Sequence, residues 1–149
     1  LDLIDVCRQL TAESDLQAQQ TRQIKLNCTL EQAPMQGDVK LLREAIGNLL
    51  TNAIKYSSPD QPVRVDVSRE AQHYCIRVSD QGIGIPAENL KRLFEPFYRA
   101  DNVGEVPGSG LGLTIARQAC ELHGGALTVD STIGVGSTFT ICLPAGEAE

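Results

Sequence analysis

Two pairs of segments alternate between apolar and polar residues, and each pair is joined by only a few residues. The first pair covers 63–69 and 74–79, and the second lies near 126–130 and 137–143. Alternation is typical of half-buried strands, and connections this short join antiparallel neighbours. Because strands follow strands directly, the order favours an α+β fold and argues against a doubly wound parallel sheet.

Helical spacing of apolar residues recurs in four other segments, and one further segment alternates. We predict helices near the start of the chain, from Asp38 to about Lys55, from Pro86 to Phe94 and from Leu111 to Leu122, with a fifth strand at 24–30. Asp38 stands where a helix N-cap is expected. These elements predict a two-layer α+β sandwich, in which one mixed sheet of about five strands carries helices on one face.

Length and charge restrict the class of protein. A chain of 149 residues makes about one domain, and its last residues, 145–149, are expected to be a flexible tail. Thirteen Lys and Arg against 19 Asp and Glu give a net charge of −6, which argues against a nucleic-acid binder. No run approaches the ~18 apolar residues of a membrane span, and no basic-then-apolar leader opens the sequence. We therefore expect a cytoplasmic domain, and whether its parent protein is anchored in a membrane is left open.

Cysteines are odd in number and widely spaced. Cys7, Cys28, Cys75, Cys120 and Cys142 form no Cys-x-x-Cys pair, so neither a zinc knuckle nor a dithiol redox motif is present. Each lies among apolar residues at helix or strand spacing. We expect all five to be small buried hydrophobic side chains of a protein in a reducing compartment.

A polar stripe follows one side of the predicted helix 38–55. Glu44, Asn48, Asn52 and Lys55 fall within an arc of about 80° at 100° per residue. A solvent-facing stripe would also be polar, so the pattern alone leaves both interpretations open. Asn twice in mid-helix lowers helix propensity, which favours a functional role.

Glycine clusters occur at two places. Asp80 follows a predicted strand and precedes Gly82 and Gly84, an arrangement that suits either a ligand or a simple Asx turn. Residues 108–113 (GSGLGL) open a predicted helix, where free backbone N–H groups bind anions. The dinucleotide pattern G-x-G-x-x-G fails because Leu113 stands where the third Gly is required, and no Gly-Lys pair supports a Walker loop.

Half of the six aromatic residues lie between these clusters. Residues 94–99 (FEPFYR) contain three of them. A satellite hydrophobic cluster beneath the long loop 100–110 would explain the run equally well.

The order of these segments resembles the catalytic ATP-binding domain of sensor histidine kinases, which belong with gyrase, Hsp90 and MutL to the Bergerat-fold superfamily. Residues 48–57 (NLLTNAIKYS) resemble the N box, 80–85 (DQGIGI) the first G box, 94–99 the F box and 108–113 the second G box. Residues 136–139 (GSTF) match the closing strand motif of the family. The likeness covers essentially the whole chain.

Roles for the helix stripe follow from this resemblance. It implies that Asn48 supplies an oxygen to Mg²⁺, a cation that takes few protein ligands and fills its shell with phosphate and water. Asn52 would lie near the phosphates, Lys55 would balance their charge, and Tyr56 would lie beside the adenine. Glu44 would polarise the attacking imidazole. Glu44, Asn48 and Lys55 are thus the predicted catalytic residues.

Nucleotide contacts are implied elsewhere in the chain as well. Asp80 would accept a hydrogen bond from the adenine amino group, which favours ATP over GTP because guanine presents a carbonyl there. The other predicted contacts are Gly82, Gly84, Ile85, Arg99, Gly108, Ser109, Gly110, Leu111, Gly112, Leu113 and Thr138.

The phosphoacceptor expected of such a kinase is missing from this sequence. His73 and His123 both lack acceptor-like surroundings. The resemblance therefore implies a domain that phosphorylates a histidine on a separate helical dimerisation domain of the same kinase, with a response-regulator receiver beyond it. We expect the chain itself to be monomeric and poor at autophosphorylation, within a homodimeric parent.

Three other functions remain open. The first is a free-standing Bergerat-fold serine kinase of the anti-sigma-factor type, against which the aromatic run argues. The second is a nucleotide-sensing module that transfers nothing. The third is an ATP-gated clamp, which normally needs a further transducer domain.

Overall fold

Five strands form one mixed sheet in the computed structural model, which describes residues 1–17, 24–57, 61–95 and 112–145. The strands are β1 (Ile24–Cys28), β2 (Val63–Glu70), β3 (His73–Asp80), β4 (Ala126–Thr132) and β5 (Gly136–Pro144). The helices are α1 (Leu3–Gln17), α2 (Val39–Tyr56), α3 (Ala87–Leu90) and α4 (Gly112–Leu122).

The sheet has the strand order β1-β2-β3-β5-β4. Among the strands of the described ranges, only β1 and β2 pair in parallel, and the chain passes through α2 between them, as a parallel connection requires a crossover. The pairs β2–β3, β3–β5 and β4–β5 are antiparallel. The two predicted hairpins and the mixed sheet are therefore confirmed.

The two faces of the sheet differ in polarity. Val65, Val67, Ile76, Val78 and Ile141 are at most 1% exposed and belong to the core. Alternation turns their neighbours to the opposite face, which we call the outer face. Helix α2 contacts both α1 and α4, and all three helices contact the sheet. The predicted two-layer α+β sandwich is confirmed.

Helix α2 is the central element of the helical layer. Asp38 caps it, since its side chain accepts a hydrogen bond of 3.2 Å from the Leu41 N–H. Its buried side chains are those that the apolar spacing predicts: Leu42, Ala45, Ile46, Leu49, Leu50 and Ala53. None of the helices in the described ranges is both long and apolar enough to cross a bilayer.

A histidine at the end of α4 holds the beginning of α2. His123 Nδ1 lies 2.7 Å from the carbonyl oxygen of Ala119, and because a carbonyl only accepts, Nδ1 carries the proton. Nε2 then accepts a 2.9 Å hydrogen bond from the Asp38 N–H. A Cβ added at Gly37 would lie 2.8 Å from the His123 ring, so only glycine allows this approach without a shift.

Some boundaries differ from those predicted. Strand β1 ends at Cys28 rather than at residue 30. The helix predicted from Pro86 to Phe94 is α-helical only over Ala87–Leu90. Beyond it, Arg92 N and Leu93 N donate to carbonyls three residues back, which makes tighter turns than an α-helix.

The chain ends are described in part. Ala145 N donates to the Gln72 carbonyl at 2.8 Å, so the first residue of the predicted tail is tied to the β2–β3 turn. Residues 146–149 and the predicted loop 100–110 lie outside the described residues.

The expectation for the cysteines was wrong for one pair. Cys7 and Cys120 are buried and free, as expected, whereas Cys28 is free but only half-buried. Cys75 and Cys142, however, form a disulfide with a Cα–Cα distance of 4.3 Å. They lie directly opposite each other in the β3–β5 register, a relation that spacing along the sequence does not contain.

Candidate functional site

The predicted polar stripe lies along α2 as expected. Glu44 and Lys55 are exposed, while Asn48 and Asn52 are half-buried. Half-burial of two amides between exposed charges is unlike a fully solvated helix face. The stripe therefore lines a partly enclosed surface.

An unsatisfied amide group marks the middle of this stripe. Asn48 Nδ2 is buried and finds no hydrogen-bond partner within the described parts of the chain. A Cβ at Gly112, the first residue of α4, would lie 3.6 Å from Asn48 Cγ and Oδ1. A buried donor without a partner costs free energy, so the Asn48 amide beside the start of α4 is a candidate donor to a ligand.

The C-terminal end of α2 is joined to the loop that follows Asp80. Ile83 N donates to the Tyr56 carbonyl at 3.2 Å, and Ser57 pairs with Gly82 in an isolated β-bridge. Asp80 Oδ1 accepts a 3.0 Å hydrogen bond from Gly82 N, which closes an Asx turn. The first predicted G box is thereby fixed beside the predicted N box.

Two glycines of this loop serve the protein's own backbone. A Cβ at Gly82 would collide with the Tyr56 carbonyl oxygen, and one at Gly84 with the Thr132 carbonyl oxygen. Gly84 also has φ +70°, a conformation that favours glycine. Gly134 N donates to the Ile83 carbonyl at 2.8 Å and so joins the β4–β5 turn to this loop. Close approach of the neighbouring backbone is thus a structural reason for glycine at both positions. The predicted room for a nucleotide would be a second reason.

Three other predicted contacts have partners within the domain. Ile85 N donates to Ser131 Oγ at 2.8 Å, and its side chain packs against the core. Leu113 also packs against the core. Thr138 Oγ1 lies 3.1 Å from Ser79 Oγ across the β3–β5 pair. None of these contacts tests nucleotide binding, so the three residues remain predictions.

Phe94, the first residue of the predicted F box, is held by α4. Thr114 Oγ1 donates a 2.7 Å hydrogen bond to the Phe94 carbonyl. The Arg117 guanidinium lies 5.4 Å from the centre of the Phe94 ring, within cation–π range. Sequence reasoning missed Thr114 and Arg117, since no motif marks them and only the fold brings α4 beside Phe94.

Five predicted contacts lie outside the described residues: Arg99, Gly108, Ser109, Gly110 and Leu111. The described part of the site therefore consists of α2, the loop after Asp80, the start of α4 and the β4–β5 turn. Within these parts, Glu44 and Lys55 make no ion pair with another described residue, whereas the neighbouring Arg43 pairs with Glu13 at 2.9 Å.

The donor groups present are suited to a nucleotide with a hard cation. Asn48 offers a carbonyl oxygen, and the Glu44 carboxylate lies one turn earlier on the same face. Mg²⁺ typically takes one or two such oxygens and completes its shell with phosphate and water. Lys55, in the last turn of α2, supplies a positive charge.

A sequence profile described as "Histidine kinase-, DNA gyrase B-, and HSP90-like ATPase" matches residues 37–147. The chain belongs to this family. It is 43% identical over 109 residues to the circadian input-output histidine kinase CikA of Synechococcus elongatus. The aligned region covers 72% of this chain and 14% of CikA. As a member of the family, it is an ATP-binding domain of the kind found in sensor histidine kinases.

Solved structures agree with this assignment. The mycobacterial sensor histidine kinase MprB superposes with a TM-score of 0.87 at 32% identity, covering 97% of this chain and 96% of the other. Full-length ShkA, solved in complex with AMPPNP, superposes with a TM-score of 0.85 at 25% identity. The match covers 97% of this chain and 30% of ShkA. The fold is thus the Bergerat fold of these kinases.

The chain spans only a small part of its curated relatives. It covers between 14% and 27% of the relatives CikA and SenX3. The rest of those proteins consists of regions that this chain does not match. In each of these relatives the matched domain is therefore a minor part of a longer protein.

Proposed function

We propose that this domain binds Mg-ATP and donates the γ-phosphoryl group to a histidine on a separate dimerisation domain of its parent kinase. The observation that carries the proposal is the buried Asn48 Nδ2, which has no hydrogen-bond partner among the described residues and lies beside the start of α4. It lies on the helix whose end is joined to the Asp80 loop, within a domain of the histidine kinase family.

The described residues support distinct roles in this proposal. Asn48 Nδ2 would donate to a phosphate oxygen, and Asn48 Oδ1 would be the protein ligand of Mg²⁺, which neutralises triphosphate charge when bound. Asn52 and Lys55 would face the phosphates. Asp80, fixed by its Asx turn, would accept from the adenine amino group, with Tyr56 beside the ring. The AMPPNP bound to ShkA is consistent with an ATP-type ligand.

Glu44 would act on the acceptor rather than on the nucleotide. Transfer forms a bond from an imidazole nitrogen to the γ-phosphorus and breaks the bond from that phosphorus to the bridging oxygen, leaving ADP. The exposed Glu44 carboxylate would orient the incoming imidazole and take up its proton. Such general-base assistance typically contributes ~10²–10⁴-fold.

The two histidines of this chain support an acceptor located elsewhere. Both ring nitrogens of His123 are engaged, one with Ala119 and one with Asp38. His73 begins β3, at the end of the strand opposite Asp80. We therefore expect little or no autophosphorylation by the domain alone. The parent kinase would be a homodimer with this domain in the cytoplasm, and it would pass the phosphoryl group to a response-regulator receiver.

Nucleotide binding is tested by thermal unfolding with Mg-ATP and with Mg-GTP at equal concentrations. At 100 times its dissociation constant, Mg-ATP should add about 2.7 kcal/mol to the free energy of unfolding. Mg-GTP should add clearly less. Equal responses to the two nucleotides would contradict the role of Asp80, and no response to either would overturn the proposal.

Phosphoryl transfer is tested with labelled ATP and an isolated dimerisation domain of a histidine kinase. Glu44→Ala should slow transfer by ~10²-fold or more while Mg-ATP binding stays unchanged. Glu88→Ala, which removes an exposed carboxylate on α3, is the matched control. The product should be acid-labile, as a phosphohistidine is. An acid-stable product would indicate the serine-kinase alternative.

A further inference from the structure

The structure sorts the five cysteines by their surroundings. Burial raises the pKa of the Cys7 thiol to about 12 and that of the Cys120 thiol to about 11, so both stay protonated and unreactive. The half-buried Cys28 lies against the backbone of Leu30, 3.2 Å from its carbonyl oxygen. The remaining pair, Cys75 and Cys142, differs from all three because each sulfur faces another.

This pair lies on the outer face of the sheet. In the β3–β5 register Cys75 is opposite Cys142, and the flanking residues Ile76 and Ile141 point into the core. The two cysteines therefore point away from the helices. Cys75 is only 1% exposed, whereas Cys142 is half-buried. A reagent in solution thus reaches Cys142 first.

An ion pair accompanies the two sulfurs. A carboxylate oxygen of Glu70 lies within 4.8 Å of both. Arg77 Nη2 binds Glu70 at 2.7 Å, so the guanidinium offsets the negative charge that would otherwise repel a thiolate. The surroundings therefore permit a thiolate at this place.

We propose that Cys75 and Cys142 form a reversible thiol–disulfide site that reacts with small-molecule disulfides of the glutathione class. The Cys142 thiolate attacks one sulfur of the oxidant, which forms a mixed disulfide and releases one thiolate. The Cys75 thiolate then attacks the Cys142 sulfur and releases the second. Two protein thiols lose two electrons, the oxidant is reduced to two thiols, and the two protons go to the released thiolates.

The bond closes a segment that contains much of the candidate site. Its sequence separation is 67 residues, and the closed segment includes Asp80, α3 and α4. In a compartment held reducing by glutathione the pair is a dithiol, and a rise in oxidised glutathione converts it. Because the cross-link restricts the unfolded chain, the oxidised form resists unfolding more than the reduced form. Asp80 lies five register positions away from Cys75 on β3, so nucleotide affinity is expected to stay the same.

The test equilibrates the whole domain with set ratios of reduced to oxidised glutathione, followed by acid quench, denaturation, alkylation of free thiols and intact mass. The parent should change from five alkylated thiols to three, and a non-reducing peptide map should link Cys75 to Cys142. In the Cys75→Ser variant the reaction should stop at the mixed disulfide, with one glutathione attached to Cys142. The Cys142→Ser variant should gain no glutathione at the buried Cys75.

Cys28→Ser is the matched control, since it removes another half-buried thiol and should leave the Cys75–Cys142 link intact. The melting temperature of the oxidised parent should exceed that of the reduced parent. Five alkylated thiols at the highest oxidised glutathione, or a link between other cysteines in the parent map, would overturn the proposal. The parent map decides the matter even where a serine variant fails to fold.

Discussion

Replacing Asn48 by Leu should stabilise the free domain while weakening its response to nucleotide. The Asn48 Nδ2 is buried without a partner in the described structure, and such a group costs ~1–3 kcal/mol. Leu has a similar branched shape, and its helix propensity is better by a few tenths of a kcal/mol. The leucine side chain should be slightly overpacked next to Gly112, which lowers the benefit. We therefore expect the free energy of unfolding to rise by about 1–2 kcal/mol in total.

A gain of this size is measurable. For a domain of about this length, 1 kcal/mol shifts the melting temperature by roughly 2–4 °C, so the free variant should melt about 2–8 °C higher than the parent. Urea unfolding under reducing conditions gives the free energy directly, and an unchanged m-value shows that the compactness of both states is retained. Saturating Mg-ATP, which should add about 2.7 kcal/mol to the parent at 100 times its dissociation constant, should add little to the variant.

Asn52→Leu is the control for helix propensity, since it makes the same change one turn later at an amide that is not a buried orphan. It should stabilise the free domain by a few tenths of a kcal/mol only. The reasoning is refuted if Asn48→Leu is less stable than the parent, because the amide would then have a native partner. It is also refuted if the variant keeps the full response to Mg-ATP.

Three further predictions concern stability and are measured by urea unfolding under reducing conditions. Thr114→Val removes the hydrogen bond to the Phe94 carbonyl and should cost about 1 kcal/mol. Gly82→Ala places a Cβ against backbone and should cost more than ~2 kcal/mol, whereas Gly134→Ala meets open space at φ +77° and should cost ~1 kcal/mol. Stability should also fall as pH rises from 9 towards 12, because burial raises the pKa of Cys7 from 9.0 to about 12 and the unfolded chain releases this proton first.

Each of these has its own check. Thr128→Val, at an exposed position of β4, should be nearly neutral and controls for Thr114→Val. Gly82 is not among the glycines with positive φ, so a loss at Gly82 no larger than that at Gly134 would mean that close approach to the Tyr56 backbone does not require glycine there. Cys7→Ala should flatten the alkaline slope, even though the variant is less stable at neutral pH, and an unchanged slope would exclude Cys7 as its source.

Local patterns were sufficient for most of the fold. Asp38 and the apolar spacing of α2 predicted both the beginning of that helix and its buried side, because capping and amphipathicity are local properties. The α3 region was harder to predict. Its apolar residues continue to Phe94, but the chain tightens into turns after Leu90, and Phe94 is then held by α4. The contact partner decides that geometry, and it lies 20 residues away.

The site was predictable as a set of motifs but not as a set of contacts. Spacing grouped Glu44, Asn48, Asn52 and Lys55 on one side of α2, and the structure places them there. It did not show that Gly82 and Gly84 are required by the backbones of Tyr56 and Thr132, because close approach depends on tertiary packing. The register that sets Cys75 opposite Cys142 was equally hidden, since it follows from the strand order.

Helix α2 is tethered at both of its ends. At one end the His123 ring ties Asp38 to α4, and at the other the Tyr56 carbonyl receives the Ile83 N–H. A helix that is held at both ends moves as a unit, so a displacement of one end also displaces the other. We therefore expect a tilt of α4 to move α2 and, through the Tyr56–Ile83 hydrogen bond, the loop that follows Asp80.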